Sequence, residues 1–406
     1  MVARAGAQAP RQEKEDRPGV ARLAVTRLTL SDFRCYADAR LETDRRPVVL
    51  TGPNGAGKTN LLEAVSFLAP GRGLRRATLA EVRRREAGDG SAWAVNARLE
   101  TPVGPVAIGT GSDPQAGEAG SRRLVRIDGQ AAPSQAALGA HVTLAWLTPQ
   151  MDRLFIEGAS GRRRFLDRLV FGFQPDHAGA LSAYEQAMRD RSRLLKDERD
   201  GGRRADPAWL AALEEQMAGN AVAIAAARKE VVGRLMAAGD EGTLSESPFP
   251  RATLAVEGTV EGWLDEMPAL AAEERLKARL AEMRRVDAAA GGATEGPHRS
   301  DLAVRHRAKD MPAAQCSTGE QKALLIGIVL ANARLLAAER GAAPLLLLDE
   351  VAAHLDRRRR AALFDEILAL GTQAWLTGTD RELFAELGGR ARFFGIEDAR
   401  ITALSD

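Results

Sequence analysis

A chain of 406 residues, 45% of them hydrophobic, is long enough for about two or three folding units and apolar enough for a sizeable core. Its 57 basic and 55 acidic residues leave a net charge of only +2, which excludes a uniformly basic nucleic-acid binder and makes any DNA surface a local one. Cys35 and Cys316 stand far apart with no metal-type spacing, no apolar run approaches the roughly 20 residues of a membrane span, and the start lacks a secretory apolar segment. These readings indicate neither a disulfide framework nor a zinc site, no membrane partner is expected, and the expected location is cytoplasmic.

Residues 1–20 are small, polar and mixed in charge, and read as a disordered tail. From Leu23, Val25, Leu28 and Leu30 onward the apolar residues recur close to every second position, a strand pattern repeated around Val95 to Leu99 and Val103 to Ile108. Between these strands Val48-Val49-Leu50 runs into Gly52-Pro53-Asn54-Gly55-Ala56-Gly57-Lys58-Thr59 and then Leu61-Leu62-Glu63-Ala64-Val65. Strand, glycine-rich turn and helix in that order let backbone N–H groups converge on a phosphate at a helix N-terminus. Lys58 then reaches the β- and γ-phosphates, Thr59 offers a hydroxyl to Mg²⁺, and the pattern predicts an ATP-type triphosphate site.

After that helix come Arg72, Arg75, Arg76, Arg83, Arg84 and Arg85 against the single acid Glu81, the strongest basic cluster in the chain and the expected DNA surface. With 4% aromatic residues and no basic and aromatic interleaving, no stacking platform for single strands is visible, so backbone contacts to duplex or gapped DNA are expected, with single-stranded DNA left open. Gly109 to Gly120 reads as a hairpin loop and Asp128-Gly129 as a turn.

From about Ser160 to Val286, Ala, Leu, Glu and Arg dominate three or four helical segments, interrupted near Gly201, Gly239 and Ser245 to Pro250. Leu210, Leu213, Met217 and Ala221 keep helical spacing, but no heptad register persists, so a long coiled-coil rod is not expected. Arg162 to Arg164 are a second candidate DNA contact, whereas Arg357 to Arg360 read as a solvated helix face and His298 as a structural residue of a turn.

The β/α pattern then returns. Ser317 and Glu320 in Cys316-Ser317-Thr318-Gly319-Glu320-Gln321-Lys322 have capping-box spacing ahead of a helix from Glu320 to Ala338. A helix N-terminus of this kind can present hydroxyl and N–H groups to a γ-phosphate held by a second subunit. Leu345 to Leu348, closed by Asp349 and Glu350, reads as a buried central strand that delivers Asp349 to Mg²⁺ and Glu350 to the attacking water.

The order phosphate loop, Ser-Thr-Gly-Glu-Gln, Leu-Asp-Glu and His354-Leu355-Asp356 resembles an ABC-type ATPase head, a plan shared by transporters, SMC-like proteins and DNA-repair ATPases. The fold this implies is α/β, a mixed β-sheet with flanking helices, split by a largely helical inserted arm: residues 21–159 and 291–406 form the head and 160–290 the insertion. Ser31-Asp32-Phe33-Arg34-Cys35-Tyr36, Gly161 to Asp167, Glu295-Gly296-Pro297-His298-Arg299-Ser300-Asp301-Leu302, and Ser317 to Lys322 resemble the RecF family of recombination-repair proteins in particular, over about Leu23 to Arg400.

The resemblance implies an ATP-driven homodimer in which Lys58, Thr59, Asp349 and Glu350 of one subunit face Ser317, Gly319 and Gln321 of the other, with Asp356 as the D-loop aspartate. Gln150, in Thr148-Pro149-Gln150-Met151-Asp152, takes the place of a Q-loop glutamine. It also implies DNA binding at gaps and junctions, help in loading RecA, maintenance of replication forks, SOS induction, and RecR and RecO as partners. Where many ABC ATPases carry a switch histidine, this chain has Thr377-Gly378-Thr379-Asp380, with either threonine open as the substitute, so a slow ATPase stimulated by DNA is expected. A transporter subunit lacks a reason for the Gly-Pro-His-Arg stretch, an SMC-like tether needs longer arms, and a small-molecule kinase needs no Ser-Thr-Gly-Glu-Gln loop.

Overall fold

The computed structural model describes residues 22–88, 91–113, 122–202, 205–240 and 247–405; the predicted tail and most of the predicted loop at 109–120 lie outside them. The early alternation forms the antiparallel pair Ala24–Phe33 (β1) and Tyr36–Glu42 (β2), followed by Val48–Thr51 (β3) and Lys58–Ser66 (α1). Leu79–Val82 (α2) precedes Ala94–Thr101 (β4), Gly104–Ser112 (β5), Arg123–Ile127 (β6) and Gln130–Ala131 (β7). β5 runs on through Ser112, so the first residues of the predicted loop at 109–120 are strand, paired with β4 and β6. Asp128 and Gly129 both have positive φ, the two-residue turn geometry that suits a tight hairpin, and they join β6 to β7.

Leu144–Leu147 (β8) leads into the helices Ala159–Phe173 (α3), His177–Arg199 (α4) and Pro207–Asp240 (α5). Then come Ala252–Glu257 (β9), Thr259–Glu266 (α6), Ala269–Glu282 (α7), Arg284–Ala290 (α8), Asp301–His306 (β10) and Met311–Pro312 (β11). The chain closes with Thr318–Arg340 (α9), Leu345–Leu348 (β12), Arg357–Leu370 (α10), Ala374–Gly378 (β13), Arg392–Glu397 (β14) and Arg400–Leu404 (β15).

Two six-stranded sheets result, one antiparallel in the order β2-β1-β4-β5-β6-β7, the other in the order β15-β14-β3-β13-β12-β8. In the second, β14, β3, β13, β12 and β8 are parallel neighbours and only β15 is antiparallel. Alternate residues of its strands enter different cores. Val48, Leu50, Leu345 and Leu347 face α1 and the antiparallel sheet, whereas Val49, Leu346 and Leu348 face α3, α9 and α10. That two-sided burial is why Leu345 to Leu348 is an unbroken apolar run.

The insertion departs from a purely helical arm. α4, α5, α6 and α7 share their own core around Met217, Ala221 and Leu276. α3, however, packs Phe165, Leu166, Leu169 and Val170 into the main core, so the boundary expected at 160 falls inside a head helix. β9 pairs with β10 in a small three-stranded sheet and ties the returning chain to the head. Its short alternation around Leu254 and Val256 sits within a strongly helical composition, which masks a six-residue strand. α9 is long and apolar enough to cross a membrane by composition, but 67% of that window is buried in the protein, the mark of a core helix.

Candidate nucleotide site and its neighbouring arginines

β3, fully buried between β13 and β14, delivers the Gly52 to Thr59 loop to the carboxyl edge of the parallel sheet, where ligands of open α/β sheets bind. Gly52 has φ +148°, and a Cβ there would overlap the Ile396 carbonyl oxygen. At Gly57, φ +114°, a Cβ would come within 2.6 Å of the Tyr36 hydroxyl and 2.9 Å of Cys35 Sγ. The β1–β2 turn therefore presses directly on the loop, a contact that sequence order does not announce. α1 begins at Gly57 without a side-chain cap, which leaves its first-turn N–H groups to an anion. Lys58 Nζ donates to the carbonyls of Gly52 at 2.7 Å and Pro53 at 2.8 Å. Burial lowers its pKa, with Glu350 and Asp349 pulling the other way.

Asp349 and Glu350 end β12, in register with β8 and β13. Thr59 Oγ1 donates to Asp349 Oδ1 at 2.9 Å, and Thr377 Oγ1 donates to the same oxygen at 2.8 Å. The Thr377 hydroxyl also accepts from Glu350 N at 2.9 Å, and Glu350 itself is held at φ +53°, a left-handed conformation uncommon outside glycine. Of the two candidate threonines, Thr377 is thus the one joined to both acids; Thr379 is exposed and donates to Asp380. Gln150 is exposed in the turn Pro149–Arg153, which follows β8 at the same sheet edge. Among the described residues no three His, Cys, Asp or Glu side chains gather as a metal site. One hydroxyl and one carboxylate suit Mg²⁺, a cation that keeps waters and takes phosphate oxygens rather than a full protein cage.

Ser317 caps α9 with a complete capping box: its Oγ accepts from Glu320 N, and Glu320 Oε2 accepts from Ser317 N at 3.1 Å. Lys309 and Ser317 draw the Glu320 carboxyl down to about 2. Ser317 and Gly319 are exposed, whereas Gln321 is buried and its Nε2 donates inward to the Cys316 carbonyl at 2.8 Å. Gln321 therefore departs from its expected outward role: it sits one turn into the helix, on the side that faces its own preceding loop. Asp356 caps α10 by accepting from Arg359 N at 2.8 Å, and Arg359 donates to the Gly319 carbonyl at 3.4 Å. Lys322 Nζ donates to Asp152 Oδ2 at 3.1 Å, linking α9 to the Gln150 segment. Among the described residues no hydrogen bond joins the Ser317 to Gln321 loop to the phosphate loop or the acidic pair.

The arginines separate by environment. Arg75 donates to Asn60 Oδ1 at 2.8 Å and to the fully buried Glu63, which also receives Arg34; Arg84 pairs with Asp32 and Glu86. Arg83 is half-buried, while Arg72, Arg76 and Arg85 are exposed and unpaired with acids among the described residues. Arg162 forks onto Asp301 with two bonds of 2.7 Å, and Arg163 donates to the Ser300 carbonyl at 2.7 Å. The Gly161 to Asp167 and Glu295 to Leu302 stretches are thus two sides of one junction, completed by Arg228, which forks onto Asp167 and donates to the Pro297 carbonyl.

A parallel sheet that brings a phosphate loop and a threonine–aspartate–threonine cluster to one edge, with a capped serine loop turned outward elsewhere on the same body, is the plan of an ABC-type, SMC-like ATPase head. The model of the RecF/RecN/SMC N-terminal domain family matches residues 24–400. The chain is 52% identical over 381 residues to a DNA replication and repair protein RecF of Rhizobium meliloti (strain 1021), covering 93% of this chain and 98% of that one. A protein of the same name from Caulobacter sp. (strain K31) is 51% identical over 397 residues, 95% and 100% of the two chains. The chain belongs to the RecF family.

Its fold is similar to a solved recombination mediator protein RecF-ATPrS in the RecFOR pathway, with TM-score 0.80 at 21% identity over 95% of this chain and 100% of that one. The Smc head domain of Pyrococcus furiosus, with an extended coiled coil and the C-terminal domain of ScpA, gives 0.51 at 15% identity over 94% and 96%.

Proposed function

We propose that this protein is an ATP-switched, DNA-binding homodimer of recombinational repair that acts at single-strand gaps and junctions. The Gly52 to Thr59 loop, with Asn54 and Ala56 in its turn, binds the triphosphate through backbone N–H groups, and Lys58 leaves its own loop carbonyls to neutralise the terminal phosphates. Thr59 and Asp349 hold Mg²⁺, which supplies charge neutralisation when bound. Glu350 orients and deprotonates the attacking water with Gln150 beside it. Ser317 and Gly319 of the second subunit complete the site across the dimer, Asp356 lies at that interface, and Gln321 shapes the serine loop from behind. Hydrolysis is slow and DNA-stimulated, a timing switch for loading RecA with RecR and RecO, for fork maintenance and for SOS induction, inside the cytoplasm.

The observation that carries this reading is the Asp349 carboxylate bridged by Thr59 from the phosphate loop and Thr377 from β13, beside Glu350. Mixing two inactive variants tests the shared site. Lys58→Ala spoils only the loop side and Ser317→Arg only the opposite side, so mixed dimers contain one intact site and regain ATPase activity. A mixture as inactive as its components contradicts a site built from two subunits.

A further inference from the structure

We infer that Tyr36 is a positioning residue for the triphosphate: from the turn between β1 and β2 it fixes the Gly57–Lys58 peptide from behind, so that the Lys58 N–H faces the phosphates. This role rests on the ATP-site reading and names a residue outside the phosphate loop on which the affinity of that site depends.

Three consecutive residues of the turn each hold one residue of the phosphate loop and its helix. Arg34 forks onto Glu63, Nε to Oε2 at 2.8 Å and Nη2 to Oε1 at 2.7 Å. Cys35 Sγ accepts from Asn60 Nδ2 at 3.1 Å, and the Tyr36 hydroxyl donates to the Gly57 carbonyl at 3.2 Å. Gly57, Asn60 and Glu63 follow one another at i, i+3 spacing, so they lie along one face of α1 and its cap, and the turn runs against that face in the opposite direction.

The turn itself is held in place. Arg34 stands at φ +55°, a left-handed backbone that a non-glycine residue keeps where its surroundings over-determine it. Arg34 N donates to the Val82 carbonyl at 2.8 Å, its Nη1 donates to the Glu81 carbonyl at 2.6 Å, and Phe33 pairs with Tyr36 across the turn. Glu63 is fully buried, so its charge is tolerated only while Arg34 and Arg75 stay on it.

Tyr36 is fully buried as well, and burial raises its pKa, so the phenol keeps its proton and remains a donor. The carbonyl it engages also accepts from Asn60 N at 2.9 Å and Leu61 N at 3.2 Å, so three donors fix the direction of one peptide. In a trans peptide the N–H points opposite to the C=O. Holding the Gly57 carbonyl against Tyr36 and the helix body therefore turns the Lys58 N–H outward, to the uncapped start of α1. The same hydroxyl is the atom that a Cβ at Gly57 would strike, so the glycine and the tyrosine are fitted to each other.

The chain has two tyrosines, both buried and both hydrogen-bonded through the hydroxyl, and the second is an internal control: Tyr184, on α4, is bonded to His298. ATP binding by calorimetry with Mg²⁺, steady-state ATPase activity and melting temperature are compared for the full chain as wild type, Tyr36→Phe and Tyr184→Phe. Tyr36→Phe weakens ATP binding about fivefold, the worth of one hydrogen bond, and raises KM by the same factor with kcat held within about twofold. Tyr184→Phe lowers the melting temperature and leaves ATP affinity and KM at wild-type values. If Tyr36→Phe fails to fold, Glu63→Gln, which keeps the shape of the buried anchor and loses its charge, takes its place with a loss of ATP affinity again expected. Unchanged ATP affinity in the variant, or an equal loss in Tyr184→Phe, overturns the positioning role while ATP binding stands. A wild type that binds no ATP overturns the ATP-site reading beneath it.

Discussion

Asp349 is only 6% exposed, and one of its carboxylate oxygens accepts hydrogen bonds from the Thr59 and Thr377 hydroxyls. Removing the Thr377 hydroxyl leaves that carboxylate and the Glu350 N–H each short of a partner, at about 1–3 kcal/mol per unsatisfied buried group. Thr377→Val is expected to lower kcat about tenfold or more, whereas Thr379→Ala, whose hydroxyl meets only the exposed Asp380, leaves kcat within about twofold. A steady-state ATPase assay on both variants checks this; equal losses would remove Thr377 from its place. The phosphate loop and the Asp349-Glu350 pair were legible in the sequence because each is contiguous and flanked by its own strand. The choice between Thr377 and Thr379 was not, because it depends on Leu348 lying opposite Leu376 across two strands. Gln321 misled for a similar reason: the motif gives its spacing from Ser317, not the side of α9 it faces.

At the scale of elements, the Gly-Pro-His-Arg turn shows what the insertion needs from the head. His298 Nε2 faces the Ala293 carbonyl at 2.8 Å and so donates, which leaves Nδ1 to accept from the Tyr184 hydroxyl at 2.7 Å, joining the turn to α4. Burial above all, with Arg299 and Arg163 nearby, lowers the His298 pKa below 6.5, against the Ala293 bond and Asp287. A lowered folded-state value means that its contribution to stability is full above pH 6.5 and is lost as pH falls through the folded pKa. The melting temperature is therefore expected to drop below pH 6.5, and His298→Gln, though less stable, is expected to show a flatter profile over that range. Parallel acid-limb profiles for the two proteins would contradict this. The sequence placed His298 in a structural turn, but its partner Tyr184 lies 114 residues away, beyond any local pattern.

For the whole molecule, the split head and its short arm were legible from the return of β/α periodicity after the helical stretch. The anchoring of that arm was less so: β9 finds its strand partner only after three helices, and α3 belongs to the head core although it reads as the arm's first helix. α5, with 34 residues about 50 Å long, folds back against α4 and α7 in a shared core, which makes the arm compact rather than rod-like. Arg359 connects the serine loop to α10, and Lys322 connects α9 to the Gln150 segment, so the outward loop and the nucleotide edge are parts of one body.

Whether ATP joins two such bodies face to face is read from the solution mass of the Glu350→Gln protein with ATP and Mg²⁺, with ADP, and without nucleotide, each with and without gapped DNA. The expected result is a 43.5 kDa monomer without nucleotide or with ADP, a dimer of twice that mass with ATP, and a stronger dimer when DNA is present. A mass that stays at the monomer value in every condition would contradict it.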